Sequence, residues 1–326
     1  MPTIAEAAQR LAQLLSGGTN ELSDPEGSDL DFLPEIEPRP LERHPAPPDC
    51  FAVDGGQMLV ADARCLQVVA TRAARARWQE GRITLEEQGD LEVHLLRGGG
   101  GGPEGQRSLS ALAAPVAPGA PVDINLLRDW SEWRLVSRCL AEAAPGGIVL
   151  VDGDLQPDWR IRAGWLEELL NGAAVRQVVP VGVTKHSSLA RGGAPLVGQL
   201  ELEAAQVLGE RSCWWAPVAL RRQEVGPGLV VTVARLDPDA RFGFRIDLPA
   251  NVDAAAVLGQ LCALADDAAF PGYPYPLSVA DRLASCPGWA RQDAWSQLES
   301  ALDQEGLPPE VRSRAFDDRH ALMERA

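Results

Sequence analysis

Apolar and polar positions along this chain change period several times, and each change marks an element. In residues 1–16, MPTIAEAAQRLAQLLS, the apolar positions Ile4, Ala8, Leu11 and Leu15 recur at helical spacing and predict an amphipathic helix. Residues 17–49 lose that periodicity, are rich in Pro, Asp and Glu, and read as an exposed linker or arm. Apolar runs of β type follow. CFAVDGGQMLV, LQVVATRAARARW and DLEVHLLR predict three successive strands with turn residues between them. The pentaglycine at 98–102, with PEG after it, reads as a flexible hairpin or surface loop. From Asp123 the helical period returns in DINLLRDWSEWRLVSRCLAEAA, where Leu126, Trp130, Trp133, Val136 and Leu140 share one face. Asp123 is placed to cap that helix, and PGG at 145–147 to stop it.

The short continuous run GIVLVDGDL reads as a central strand buried on both faces. A helix is predicted near 158–171, then the strand VRQVVPVGVTK, then three more strands in SCWWAPVAL, LVVTVARLD and RFGFRIDLP. Residues 253–268 predict a helix; FPGYPYPLSVADRLASC follows, with helices to the end. Three meandering strands followed by alternating helix and strand is the order of an RNase H-like core. The expected fold class is therefore α/β, a mixed β-sheet flanked by helices and extended by additional strands and C-terminal helices. We expect residues 1–49 to form an N-terminal helix and acidic Pro-rich arm, 50–290 the main domain, and 291–326 a C-terminal helical extension.

Composition narrows the function classes. The chain of 326 residues is 45% hydrophobic and 23% charged, ordinary for a globular protein with a sizeable core. It has no run of 18 apolar residues, so no membrane span is expected. Its first sixteen residues lack the basic start and continuous apolar stretch of a signal peptide, so the expected location is cytoplasmic. Six dispersed cysteines without a CxxC pair argue against zinc and against a disulfide framework. The glycine run lacks the GK[ST] of a phosphate-binding loop, which disfavours an ATPase. The net charge of −16 means that any contact with nucleic acid must rest on local arginine patches or on a basic partner.

Two strands share one ending. Asp54 closes Phe51-Ala52-Val53 and is followed by Gly55-Gly56; Asp152 closes Ile148-Val149-Leu150-Val151 and is followed by Gly153. A carboxylate at the end of an apolar strand is costly to desolvate unless paired, and two on neighbouring strands repel. A divalent cation resolves that repulsion; the alternative is that each Asp-Gly simply opens a turn. Glu132, on the preceding helix at the margin of its apolar face, either joins the pair or is a solvated helix charge. Asp154 is a weaker candidate, for capping or support. Phosphodiester hydrolysis is one chemistry that uses such a set, because it needs activated water, a stabilised leaving oxygen and neutralised phosphate charge. Three or four hard oxygen ligands favour Mg²⁺ or Mn²⁺ over zinc. Lys185, the only lysine among 30 basic side chains, ends the apolar run VVPVGVT and is followed by His186.

The blocks FAVDGG, LVDGDL, VGVTKHS, FRIDLP and GYPYPLSVAD, in order from about residue 50 to 290, resemble those of the NurA DNA-repair nucleases. The resemblance implies an RNase H-like homodimer that cuts DNA with manganese, as a 5′→3′ exonuclease and single-strand endonuclease. It also implies work with the hexameric ATPase HerA in resecting double-strand breaks. Asp54, Glu132 and Asp152 then become metal ligands. Asp281 stands where the family usually has His; it can ligate a hard cation but cannot act as a neutral imidazole. Lys185 is expected to contact a substrate phosphate or balance the carboxylates, with His186 beside it. Tyr273 and Tyr275, the only tyrosines, are expected to stack on the DNA strand or else to brace the loop. The competing class is a non-catalytic adaptor that only docks on the ATPase.

Overall fold

In the computed structural model, residues 3–15, 20–25, 30–97, 102–162, 164–222 and 227–316 are described. The chain opens with helix α1 (Ile4–Leu15) and the two-residue strands β1 (Leu22–Ser23), β2 (Asp31–Phe32) and β3 (Arg39–Pro40). Then come β4 (Cys50–Asp62), β5 (Leu66–Gln79), β6 (Arg82–Gln88) and β7 (Glu92–Arg97), followed by helices α2 (Pro103–Ala111) and α3 (Ile124–Glu142). Next are β8 (Ile148–Asp152), α4 (Trp165–Val175), β9 (Val179–Thr184), the short β10 (Ala190–Arg191) and β11 (Ala194–Pro195), and α5 (Leu196–Leu208). The remainder is β12 (Trp214–Arg221), β13 (Leu229–Arg235), β14 (Phe244–Pro249), and helices α6 (Ala254–Cys262), α7 (Tyr275–Ala284), α8 (Gly288–Gln304) and α9 (Pro309–Phe316).

The large sheet runs β2-β12-β13-β14-β9-β8-β4-β5-β6, with β7 beside β6 on β5 and β3 beside β2 on β12. β4 pairs antiparallel with β5, whereas β8 lies parallel to both β4 and β9. This β6-β5-β4-β8-β9 stretch is the RNase H-like core, and β14, β13 and β12 extend it by antiparallel pairing from β9. Side chains alternate across the sheet. Phe51, Val53, Val149 and Val151 pack under α3 and α4 with Trp130 and Trp133. Cys50, Ala52, Ile148, Leu150, Val181 and Val183 pack on the other face, under Leu258 and Leu261 of α6 and Leu277 and Ala280 of α7. Burial on both faces is why these strands read as continuous apolar runs. At the head of β4 the fully buried Asp49 accepts two hydrogen bonds from Arg77 at 2.9 Å and one from the Ala144 amide, tying β5 and the end of α3 to the same point.

Several predicted elements need correction. The third strand of the meander is β6, RITLEEQ, together with β7; β6 gives a weak signal because exposed Arg82, Thr84, Glu86 and Gln88 alternate with half-buried Ile83, Leu85 and Glu87, a set that itself contains a charge. The helix expected near 158–171 begins only at Trp165. The preceding segment is held as a loop, with Arg160 shared between Asp158 and Asp123 and the Asp158 amide bonded to Asp129. The helix expected over 253–268 stops at Cys262, where the chain turns so that the amides of Gly272 and Tyr275 reach the carbonyls of Ala265 and Leu264. PEG at 103–105 opens helix α2 and is not a loop, while 98–101 lie outside the described residues. α5 and the small β1-β10-β11 sheet were not predicted.

Candidate active site

Strand parity places the acids. Ala52 and Leu150 point toward α6 and α7, so Asp54 and Asp152, two residues further along, point to the same side. The parallel register sets Val53 opposite Val151, which brings Asp54 level with Asp152 at the end of β8; β4 itself runs on through Gly55 and Gly56 to Asp62, so Asp54 lies within its strand and does not close it as the sequence suggested. Lys185 follows Val181 and Val183 at the same parity, one residue past the end of β9. α7 crosses β4 and β5 and brings Asp281 over them. One oxygen each from Asp54, Asp152 and Asp281 lies within 4.8 Å of the others.

Close packing builds this cluster and explains the two glycines after Asp54. A Cβ on Gly55 would stand 2.8 Å from Oε2 of Glu132, so the bare backbone of β4 is what lets that carboxylate lie against the strand. A Cβ on Gly56 would stand 1.9 Å from the carbonyl oxygen of Ala284, so the end of α7 can sit on β4 only over glycine. Glu132 is buried, not marginal, and falls outside the group of three oxygens that lie within 4.8 Å of one another. It lies one helical turn after Arg128, at 3.5 Å from Nη1 of that guanidinium.

The electrostatics are those of a site with surplus negative charge. Burial, and then the charge of Asp152, push the Asp54 carboxyl up to about 7. Burial, and then Asp54, hold Glu132 well above the usual carboxylate range. The Lys185 ammonium donates to Oδ2 of Asp152 at 2.6 Å and to Oδ1 of Asp281 at 2.5 Å. Burial lowers the affinity of Lys185 for its proton, but those two carboxylates outweigh it and the net shift is upward. An open cleft is lined by Asp54, Asp152, Asp281, Lys185 and Arg128 together. Arg128 was not singled out in the sequence; its position one turn before Glu132 on a helix face was the available signal.

Tyr273 corrects an expectation. Its ring is 3% exposed, packed between Phe244 and Phe270 with centroids at 5.4 and 6.0 Å, so it offers no free face to a base. It serves as a wall behind Lys185, whose Nζ stands 5.2 Å from the ring centroid. Tyr275 sits at the start of α7, 36% exposed, with its ring edge-on to Trp78. His186 is exposed on the turn after β9. Asp154 points away from the cluster, toward Arg245 at 3.5 Å, and caps no helix.

A family model described as the NurA domain matches residues 48–286. The chain belongs to the NurA family. Among solved structures, the NurA nuclease from Sulfolobus solfataricus is similar, with 16% identity, 93% of this chain and 95% of that chain covered, and a TM-score of 0.56. That likeness shows a shared fold. A second NurA structure aligns at 9% identity over 80% of this chain and 91% of its own, with a TM-score of 0.46. The catalytic domain of human endonuclease V aligns at 16% identity over 94% and 100%, with a TM-score of 0.41. No curated protein matches the chain significantly.

Within this NurA chain the donor set suits a hard divalent cation. Every candidate donor is a carboxylate oxygen, three of them lie within 4.8 Å of one another, and the site holds more acids than bases, with two of the acids driven toward the neutral form. Such a set matches Mg²⁺ or Mn²⁺ and contains no Cys or His to favour zinc. Among the described residues, no helix is long and apolar enough to cross a membrane.

Proposed function

We propose that this NurA chain is a Mn²⁺-dependent DNA nuclease, also able to use Mg²⁺, which hydrolyses phosphodiester bonds as a 5′→3′ exonuclease and single-strand endonuclease. The observation that carries the reading is the convergence of Asp54, Asp152 and Asp281, from two parallel strands and one crossing helix, on a single space. Asp54, Glu132 and Asp152 hold the cation, and Asp281 completes the set of four carboxylates. When bound, the cation supplies an activated water and neutralises phosphate charge. The chain's own residues do the rest. Lys185 faces the substrate phosphate from the end of β9, and Arg128 offers a second positive group from α3. In this reading His186, on the exposed turn, and Tyr275, 36% exposed at the start of α7, contact the incoming strand.

The net charge of −16 suits an enzyme that receives DNA and does not capture it through its general field. We assign the chain, on that basis and by family, to a cytoplasmic homodimer acting with a HerA-like hexameric ATPase in resection of double-strand breaks. α1 and the acidic arm supply contacts to those partners.

The test is cleavage of end-labelled single- and double-stranded oligonucleotides in Mn²⁺, Mg²⁺ and EDTA, with wild type beside Asp152→Ala, and with and without the ATPase. The expected outcome is cutting in Mn²⁺ that disappears in EDTA and in the variant, while the variant's melting curve stays cooperative. A wild-type chain that cuts in no metal, with or without the ATPase, would instead support the non-catalytic adaptor.

A further inference from the structure

β4 does not stop at the cleft. Gly56 and Met58 keep the parity of Asp54, and Met58 packs with Ala290 and Trp295 of α8 on that same face of the sheet. Gly56 still lines the cleft, whereas residues 59–64 line a second groove, of about 880 Å³, whose far wall is Arg291, Gln292 and Trp295. Along the covering helices the two are as near: Ala284 and Ser285 border the cleft, and Gly288 borders the groove. About 20 Å of extended strand runs between Asp54 and Val60.

Charge changes sign along this path. The cleft sets Asp54, Asp152 and Asp281 against Lys185 and Arg128. Past it, Arg72 stands opposite Gly56 in the β4–β5 register and so on the same face. Its Nε is buried and makes no hydrogen bond. The groove then holds Arg64 and Arg291 against one acid, Asp62, whose Oδ1 already accepts from the Arg64 amide at 2.6 Å and from Gln67 at 3.2 Å. Among the described residues, Arg64, Arg72 and Arg291 form no ion pair, whereas Arg75 and Arg77, on the opposite face of β5, are both held by carboxylates. In a chain of net charge −16, three guanidinium groups without carboxylates along one line suit an anion that repeats, and a phosphodiester backbone is such an anion. Trp295, edge-on to Phe316 at 5.7 Å, gives the groove an aromatic wall of the kind bases lie against.

We infer that Arg72, Arg64 and Arg291 form a track for single-stranded DNA, which continues from the cleft into the groove between the β4–β5 hairpin and α8. Their guanidinium groups bind phosphates of the strand away from the cut. The inference rests on the proposed nuclease reading, and it supplies the local arginine patch that so acidic a chain needs to hold nucleic acid.

The test is binding of a labelled thymidine oligonucleotide to the full chain in EDTA, followed by fluorescence anisotropy over a range of NaCl concentrations. Each phosphate contact on a single strand adds about 0.7 to the slope of log K against log salt, so Arg64→Gly and Arg291→Gln should each lower that slope by about 0.7 and weaken binding roughly fivefold at 0.1 M salt. Arg64 has a φ of 65°, which glycine adopts freely, so the melting temperature of Arg64→Gly should not fall and its loss of binding is not a loss of fold. Arg176→Gln removes the same charge at the end of α4, on the other face of the sheet, and should bind as wild type does. Undiminished binding in Arg64→Gly and Arg291→Gln, an equal loss in Arg176→Gln, or no binding by wild type would each overturn the track. So would variants that alter self-association in sedimentation and not DNA binding, because the groove would then seat a second copy. None of these results touches Mn²⁺-dependent cutting that Asp152→Ala abolishes; a wild type that cuts in no metal would remove the nuclease reading itself.

Discussion

Asp54 carries the sharpest consequence for a single residue. Its carboxyl is raised to about 7 by burial and by Asp152, and Glu132 is shifted in the same direction. A folded-state value above the unfolded one means that the native chain binds more protons than the unfolded chain between those values. Stability contributed by these groups is then intact at low pH and lost as pH rises toward 7 and beyond. In EDTA, wild type should therefore melt at a lower temperature at pH 8 than at pH 5 on account of this cluster. Asp54→Asn should recover part of that loss at pH 8, by roughly 2–4 °C for each kcal/mol relieved, and gain little at pH 5. Adding Mn²⁺ should raise the melting temperature of wild type and not of the variant. The opposite order at pH 8 would mean that the carboxylate is not strained. This aspartate is legible in the sequence because an acid directly after three apolar residues is a local pattern, although the strand itself runs on to Asp62. Tyr273 was not legible. Proline-flanked tyrosines look alike in sequence, and only the packing of Phe244 and Phe270 makes one a wall while the other stays at the rim.

Elements meet at the site through glycine, and the fit of α7 on β4 can be tested there. Gly56→Ala would drive a methyl group to 1.9 Å from the Ala284 carbonyl, which is backbone and cannot swing aside. The helix must move, at a cost of about 1–3 kcal/mol, and Asp281 moves with it. Cleavage and stability should fall together in this variant. Gly172→Ala, inside α4 with nothing within 4 Å of the added carbon, is the control; helix propensity predicts a gain of up to about 1 kcal/mol. If both variants melt alike, the contact between α7 and β4 is looser than the structure shows. Legibility at this scale followed burial. β4, β8 and β9 are covered on both faces and announce themselves as apolar runs, whereas β6 lies at the sheet edge with charged residues such as Glu86 and Glu87 among its side chains. α5 escaped notice although Leu196, Leu200 and Ala204 keep helical spacing, because LVGQLELEAAQVL also contains an alternating stretch that blurs the period.

For the whole molecule, the contrast lies between a core that buries both faces of the sheet and a helix that buries nothing. None of the residues of α1 is buried, and Ile4, Leu11, Leu14 and Leu15 are all exposed. It lies against β11 and the turn before it, where Leu14 approaches Gly193. An amphipathic helix with an uncovered apolar stripe contributes little to the stability of the chain that carries it, since apolar area left in water yields no transfer free energy. Removing residues 1–15 should therefore change unfolding free energy by no more than about 0.5 kcal/mol, as for surface changes generally. If α1 serves association, as proposed for the homodimer and the ATPase contact, the same deletion should lower self-association in sedimentation and weaken ATPase binding. Basal Mn²⁺-dependent cutting of a short single strand should persist, because Asp54, Glu132 and Asp152 lie on β4, α3 and β8, whereas α1 lies against β11. A truncated chain that melts much earlier would show that α1 belongs to the fold. One that keeps both assemblies unchanged would leave the helix without the role proposed for it, and would shift attention to the acidic arm that follows.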